Sequence, residues 1–83
     1  MKFVADIDVM PLKEILDPQG KAVKLGLGNL GVSEVSDVRI GKHIRLEIDA
    51  ENEGKAREKV EFACKKLLAN LIMEDFSYKI AAV

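Results

Sequence analysis

Residues 3–9, Phe-Val-Ala-Asp-Ile-Asp-Val, have an apolar side chain at every second position, with Asp6 and Asp8 between them. Successive side chains of a strand point to opposite faces, so this pattern predicts a strand with one face in the core and one in water. Met10-Pro11 closes the strand. The residues predicted to face the core are Phe3, Ala5, Ile7 and Val9.

A helix is predicted after this strand, over residues 18–30. Asp17 can accept a hydrogen bond from a free amide of the first turn, and Pro18 has no amide to leave unpaired there. Gly31 follows at the position where a left-handed C-terminal cap is favoured.

Two further strands, residues 35–40 and 44–48, are predicted next. Between them, Gly41-Lys42 has a glycine at the first central position of a two-residue turn, where positive φ is needed. We therefore expect a hairpin and an antiparallel pair.

A second helix, residues 53–69, and a last strand, residues 75–83, complete the chain. Asn52 is the predicted N-cap, and the last strand alternates from Phe76 onward. The apolar stripe of the helix consists of Ala56, Val60, Ala63, Cys64, Leu67 and Leu68.

The order strand, helix, strand, strand, helix, strand predicts an α+β fold with a single domain, residues 1–83. This is a two-layer βαββαβ, ferredoxin-like arrangement, an antiparallel sheet with two helices on one face. Apolar residues left outside the core favour a partner surface and self-association. They are Val4, Met10, Leu25, Phe62, Ala81 and Val83.

Composition excludes several function classes. A domain of 83 residues buries a modest fraction of its surface, so association with another chain would stabilise it. Lys and Arg number 13 against 14 Asp and Glu, a net charge of −1 that gives no electrostatic basis for binding nucleic acid or an anionic membrane. Asp6 and Asp8 interrupt any signal-peptide hydrophobic region, and no apolar run approaches the ~20 residues of a membrane span. A cytoplasmic location is expected.

No catalytic cluster is apparent. Gly26-Leu-Gly-Asn-Leu-Gly31 matches G-x-G-x-x-G, but it falls at the end of a helix, where the dipole repels phosphate. Cys64 lies on the apolar stripe, as a buried structural thiol would. His43 is interpreted as a solvated residue beside the turn, with no second histidine or cysteine for a metal site. The carboxylates on the open face of the sheet are expected to be solvated; they are Asp6, Asp8, Glu47 and Asp49.

Five short segments occur in an order that matches one known family. Leu16-Asp17-Pro18-Gln19-Gly20 is similar to an Asp-Pro-x-Gly signature, and Leu30-Gly31 to the Leu-Gly that ends the same helix. Val38-Arg39-Ile40-Gly41-Lys42 is similar to an Arg-x-Gly-Lys hairpin. Cys64-Lys-Lys-Leu-Leu-Ala-Asn70 is similar to Cys-x-x-Leu-Leu-x-Asn, and Met73-Glu-Asp-Phe76 to an acidic and aromatic lead-in. The chain thus resembles the PurS-type small subunits of formylglycinamidine ribonucleotide synthetase. It departs at Leu71, where the family usually has proline, which fixes φ.

The resemblance implies a role in purine biosynthesis, in the step that converts formylglycinamide ribonucleotide, glutamine and ATP into formylglycinamidine ribonucleotide, glutamate, ADP and phosphate. It implies that a large synthetase subunit holds ATP and Mg, and that a separate glutaminase subunit releases ammonia. The small subunit, a dimer or tetramer, then bridges the two. We expect no active site, cofactor or metal in this chain itself.

The resemblance also implies a set of positions that determine the fold or contact a partner. For Gln19, Arg39 and Lys42 a partner contact is as well supported as a structural role, because neither capping nor turn geometry needs those side chains. For Asp17, Pro18, Gly20 and Gly41 the structural role is favoured. The full set is Asp17, Pro18, Gln19, Gly20, Arg39, Gly41, Lys42 and Asn70.

One alternative function stays open at this point. A domain of this fold can also act alone as a regulatory module that binds a small ligand at a dimer interface. That alternative predicts a thermal shift with the ligand and no dependence on partner proteins.

Overall fold

The computed structural model describes all residues from Met1 to Val83. It contains three strands and two helices, the second of which continues into a π-helical turn. None of the helices combines the length and the hydropathy that crossing a bilayer requires. The elements are β1 (Lys2–Pro11), α1 (Pro18–Asn29), β2 (Lys42–Asp49), α2 (Glu53–Ala63), the π-helical turn (Cys64–Leu68) and β3 (Glu74–Ala82).

The three strands form one antiparallel sheet with β1 in the centre, in the order β2-β1-β3. Ile7 lies opposite Ile44 on one side and Tyr78 on the other. The predicted alternation of β1 is confirmed, because Phe3, Ala5, Ile7 and Val9 are all buried. The predicted α+β class, with an antiparallel sheet and two helices, is likewise confirmed.

The core lies between the sheet and α2. This helix packs on β1 and β3 rather than on β2. Asn52 caps it, as predicted, by accepting a hydrogen bond from the Lys55 amide at 2.9 Å. The core-facing residues of β2 are therefore only half-buried, and the core is small. Its buried members are Ala5, Ile7, Val9, Val60, Cys64 and Ala69.

The π-helical turn changes which side chains of the second helix face the core. The Ala69 amide bonds to the Cys64 carbonyl five residues back, at 3.0 Å, so this turn is wider than an α-helical one. Leu68 packs against the core, whereas Leu67 is 82% exposed. The prediction that both leucines lie on the apolar stripe is wrong for Leu67, because the stripe was projected with α-helical spacing.

Residues 35–40 form no strand in this chain, and the predicted hairpin at Gly41-Lys42 is absent. The Ile40 amide donates to a side chain, Asp17, instead of to a neighbouring strand. Only Gly31, with φ 89°, has positive φ, so Gly41 is not in the conformation that the hairpin would need. These two predictions are corrected: β2 pairs with β1 and begins at Lys42.

α1 forms where predicted and ends in a Schellman motif. The Val32 amide donates to the Leu27 carbonyl at 2.8 Å, and the Gly31 amide to the Gly28 carbonyl at 3.1 Å. Gly31 has the predicted left-handed conformation. The glycine-rich stretch of residues 26–31 thus lies at a helix C-terminus, as expected.

α1 does not lie on the sheet of its own chain. It has no substantial packing contact with any strand, and Gly20 is its only buried residue. The molecule is consequently elongated, at 51 × 27 × 14 Å. Its radius of gyration is 16.3 Å, against roughly 12 Å for a compact domain of this length. The sequence predicts that two helices cover one face of the sheet. Within this chain only α2 does so.

Candidate functional site

The start of α1 is tied to the segment that leads into β2 through one carboxylate. Asp17 is the N-cap of α1, where its Oδ1 accepts a hydrogen bond from the Gly20 amide at 3.1 Å. Its Oδ2 accepts a second one from the Ile40 amide at 2.8 Å. The residue is only 8% exposed. One side chain thus caps the helix and holds a segment that follows it by more than twenty residues.

Arg39 makes a second tie between the same two segments. Its guanidinium Nη2 donates to the carbonyl oxygen of Leu12 and, at 3.1 Å, to that of Ile15. These carbonyls belong to the loop between β1 and α1, and the arginine is half-buried against them. The side chain therefore fixes the course of the chain before α1 from a position after it.

Two glycines allow these segments to approach closely. A Cβ on Gly20 would overlap the backbone carbonyl oxygen of Val38 and lie 2.8 Å from Asp17 Oδ2. A Cβ on Gly41 would overlap the Val9 carbonyl oxygen and the Met10 sulfur. Gly41 is thus required for close packing rather than for a turn.

We call the set Asp17, Gly20, Arg39, Ile40 and Gly41 the α1 anchor. Its electrostatics match its geometry. The hydrogen bond from the Ile40 amide, and then that from the Gly20 amide, lower the pKa of Asp17 below its ordinary value, with a smaller contribution from the charge of Arg39. The carboxylate is therefore held in its charged form.

The other predicted positions lie around the α1 anchor or apart from it. Pro18 is the first helical residue, and Gln19 beside it is exposed. Both line a shallow groove that also contains Asn70. Asn70 Oδ1 accepts from the Ile72 amide at 3.2 Å and so orders the turn before β3. Lys42, at the start of β2 opposite Val9, is exposed and outside the groove.

A second polar cluster, which sequence reasoning did not assemble, occupies the open face of the sheet. His43 Nδ1 lies 2.7 Å from Asp8 Oδ1, and its Nε2 lies 3.3 Å from Asp6 Oδ1. Arg45 Nε donates to Asp6 Oδ1 at 2.8 Å. The alternation of each strand signals these residues as outward-facing, but their pairing depends on β2 lying next to β1.

Within this cluster each charged group favours the charged form of its neighbours. The hydrogen bond to Asp8, and then that to Asp6, raise the pKa of His43 above its ordinary value. The hydrogen bond from Arg45, and less strongly that from His43, lower the pKa of Asp6. His43 was interpreted as a solvated turn residue; the structure places it on β2, in contact with two carboxylates.

The remaining nucleophile, Cys64, is fully buried in the core. Burial raises the pKa of its thiol, which disfavours the reactive thiolate. No group of three or more His, Cys, Asp or Glu side chains is arranged to hold a metal ion. The arrangement of polar groups in the chain is one that positions segments and surfaces, not one that assembles a nucleophile with a base.

Most of the large exposed apolar side chains fall into three groups. One group lies on α1 and the turn after it, a second on the turn before β3, and a third on α2 and its π-helical turn. A surface of this extent on a small domain indicates contact with other chains. The three groups are Val23, Leu25, Leu30 and Val32; Leu71, Ile72 and Met73; and Phe62 and Leu67.

Comparison with known proteins agrees with this description. The profile of the family described as PurS, phosphoribosylformylglycinamidine (FGAM) synthase, matches residues 4–82. The chain is 44% identical over 69 residues to the phosphoribosylformylglycinamidine synthase subunit PurS of Synechocystis, covering 83% of this chain and 69% of that one.

Solved structures extend the similarity to the backbone. PurS of Methanocaldococcus jannaschii, described as one of the subunits of formylglycinamide ribonucleotide amidotransferase in the purine biosynthetic pathway, superposes with a TM-score of 0.85 at 36% identity, over 98% of each chain. A chain of the PurLQS structure from Thermotoga maritima superposes with a TM-score of 0.89 at 34% identity, over 98% of this chain and 99% of that one. The chain therefore belongs to the PurS (phosphoribosylformylglycinamidine synthase) family.

Proposed function

We propose that this chain is the small, non-catalytic subunit of a phosphoribosylformylglycinamidine synthase, a ligase of purine biosynthesis, and that it joins the synthetase subunit to the glutaminase subunit. The observation that carries the proposal is the match to PurS over nearly the full length, together with the likeness to a chain of the PurLQS structure. ATP and Mg would then belong to the synthetase subunit, and the assembly would work in the cytoplasm.

The distribution of polar groups supports a joining role. The α1 anchor bonds to the chain's own backbone, and the cluster of Asp6, Asp8, His43 and Arg45 is internally paired. Neither arrangement holds a nucleophile and a base within a desolvated cavity, which acid–base or covalent catalysis would need. What the molecule offers instead is exposed apolar surface on α1, on the turn before β3 and along α2.

Self-association is part of the proposal. α1 has no packing partner in its own chain, and the outer edges of β2 and β3 are unpaired. α2 leaves the core-facing side of β2 only half-buried. An open sheet edge and an unpacked helix are features that a second copy can cover. Dimer and tetramer both satisfy these requirements.

Reconstitution tests the joining role. Glutamine-dependent formation of formylglycinamidine ribonucleotide is measured with the synthetase and glutaminase subunits, with and without this chain. We expect turnover with glutamine to require the chain, whereas the synthetase subunit alone turns over with free ammonia. Full glutamine-dependent turnover without the chain, and no three-part complex on a sizing column, would contradict the proposal.

Light scattering on a sizing column tests the self-association. Leu25 on α1 is exposed in the single chain, so Leu25→Lys should leave the fold intact and reduce the assembled mass. Leu16→Lys, at a comparably exposed leucine of the loop before α1, is the matched control. A wild-type mass of one chain at micromolar concentration would refute self-association.

A further inference from the structure

The part of the chain between β1 and β2 projects from the body of the molecule. α1 is roughly 18 Å long and β1 roughly 33 Å, from the rise per residue of a helix and of a strand. Placed end to end, these two lengths account for the longest dimension of 51 Å, so α1 extends beyond the end of the sheet. We call residues 17–40 the α1 arm; the α1 anchor holds its two ends together at the base.

The α1 arm gives the chain more surface than its size requires. The accessible surface is 6080 Å², whereas a compact monomer of 9.2 kDa exposes roughly 4900 Å². The difference, roughly 1100 Å² per chain, is above the roughly 800 Å² that each partner buries in a standard protein–protein interface. Packing the arm against a second chain would therefore remove as much surface as a stable dimer needs.

The arm and β2 each lack what the other has. Residues 35–40 make no backbone–backbone hydrogen bond, and α1 has no sheet to pack on. β2 has no strand at its outer edge, and its core-facing side chains are only half-buried because α2 packs on β1 and β3. Those half-buried side chains are Ile44, Leu46 and Ile48. An unpaired strand edge and an unpaired segment of strand-like sequence are matching surfaces.

The direction of the chain allows the two to meet between copies. β1 ends and β2 begins at the same end of the sheet, where Val9 lies opposite Lys42, and the arm leaves and returns there. Residues 35–40 run toward this end in their own chain. In a copy related by a two-fold axis near Lys42, β2 runs away from it. The segment and the β2 edge of the other copy are then antiparallel, as the other strands of the sheet are.

We infer that two copies of this chain exchange their α1 arms. Residues 35–40 of each copy pair with the outer edge of β2 in the other, and α1 of each copy covers the half-buried side of that strand. This inference rests on the self-association proposed above and names the surfaces that make it. A second copy is the partner because one two-fold operation gives each chain both the strand and the helix that it lacks. Each sheet then has four strands and two helices on one face.

Isotope-filtered NMR on mixed dimers tests the exchange. Labelled and unlabelled full-length chains are unfolded together, refolded and examined for contacts between copies. We expect intermolecular NOEs between methyl groups of the α1 arm and those of Ile44, Leu46 and Ile48. The amides at the outer edge of β2 should exchange slowly with solvent, and those at the outer edge of β3 should exchange fast. Intermolecular NOEs confined to β3, or to the open face of the sheet, would overturn the inference.

A pair of valine variants provides a second test. Val35→Lys places a charge on the segment that enters the other copy, and Val35 is not part of the core of its own chain. Light scattering on a sizing column should therefore give the mass of one chain, with an unchanged circular dichroism spectrum. Val4→Lys, at a half-buried valine of the open face, is the matched control and should keep a mass of two chains or more. A Val35→Lys variant as large as the wild type would contradict the exchange.

Failure of this inference can be told apart from failure of the proposed function. A dimer whose copies touch elsewhere would overturn the exchange and leave the joining role intact. A monomeric wild type would refute the exchange and the self-association together. Glutamine-dependent turnover that does not require the chain would contradict the joining role, whichever way the copies pack.

Discussion

The amide of Ile40 donates a hydrogen bond to the carboxylate of Asp17 at 2.8 Å. The two residues flank the segment that contains α1, one just before the helix and one after the loop that follows it. The same carboxylate caps the helix through the Gly20 amide. A residue that looks like an ordinary helix cap in the sequence therefore also closes a contact between distant segments. Removing it should affect both at once.

Replacing Asp17 tests this double role. Asp17→Ala removes both acceptors and leaves two amides without partners, so we expect the melting temperature to fall by roughly 4–8 °C. Asp17→Asn keeps one oxygen acceptor and should lose less. Differential scanning calorimetry at constant protein concentration measures both, and equal stability of Asp17→Ala and the wild type would show that the two hydrogen bonds contribute nothing.

The same residue should govern part of the stability at acid pH. Its pKa is lowered in the folded protein by the amides of Ile40 and Gly20, so its stabilisation is present above its unfolded value of 3.8 and is lost as the pH falls through the lower folded value. Asp17→Asn, which does not titrate, should show a flatter decline below pH 4 in urea denaturation at stepped pH values. A decline as steep as that of the wild type would assign the acid sensitivity to other carboxylates.

Two glycines of α1 should respond oppositely to the same substitution. Gly20→Ala forces a methyl group onto the Val38 carbonyl and should destabilise the fold by about 1–3 kcal/mol. Gly26→Ala meets nothing within 4 Å inside the helix and should stabilise it by about 0.5–1 kcal/mol. Chemical denaturation of the two variants, compared at one concentration, separates these signs. A loss of stability at both positions would contradict the gain that helix propensity predicts for Gly26→Ala.

His43 is the only histidine, so its proton signals report on the open-face cluster without assignment. Its pKa is raised above the ordinary 6.5, first by Asp8 and then by Asp6. The stabilisation from its charged form is therefore full below pH 6.5 and is lost as the pH rises through the higher folded value. An NMR titration should give a pKa above 6.5 for the wild type and a lower one for Asp8→Asn. An unchanged value in the variant would exclude the 2.7 Å contact as the cause.

Cys64 provides a single thiol for measuring opening of the core. The side chain is fully buried in the folded protein, out of reach of solvent and reagent, and burial raises the pKa of its thiol. We expect negligible reaction with Ellman's reagent in native buffer and rapid, stoichiometric reaction in concentrated guanidinium chloride. Rapid labelling in native buffer would mean that the π-helical turn opens readily.

Periodicity predicted the elements that depend on local sequence. β1, β2 and β3 alternate, and the stripe of α2 from Ala56 to Cys64 recurs at helical spacing, so their faces follow from residue order alone. Residues 35–40 carry apolar side chains as a strand would, but their pairing is decided by a side chain more than twenty residues away. The turn at Leu67 and Leu68 escaped prediction because one bond from Ala69 to Cys64 changes the spacing.

The predicted site positions also divide into those whose role follows from local sequence and those whose role depends on distant contacts. Asp17 as a cap and Pro18 at the first helical position could be inferred locally. The roles of Arg39 and Gly41 could not, because each depends on a backbone oxygen brought close by the fold, at Leu12 and Ile15 for one and at Val9 for the other. No pattern in the neighbourhood of these two residues encodes those contacts.

The contact between Asp17 and Ile40 means that the chain leaves and re-enters the body of the molecule at one point. Inserting one turn into α1 would move its tip by about 5.4 Å without shifting the register of β1 against β2. The length of α1 is therefore not fixed by the packing of the sheet. The distance from the sheet to the tip of α1 can thus be changed with the core left untouched.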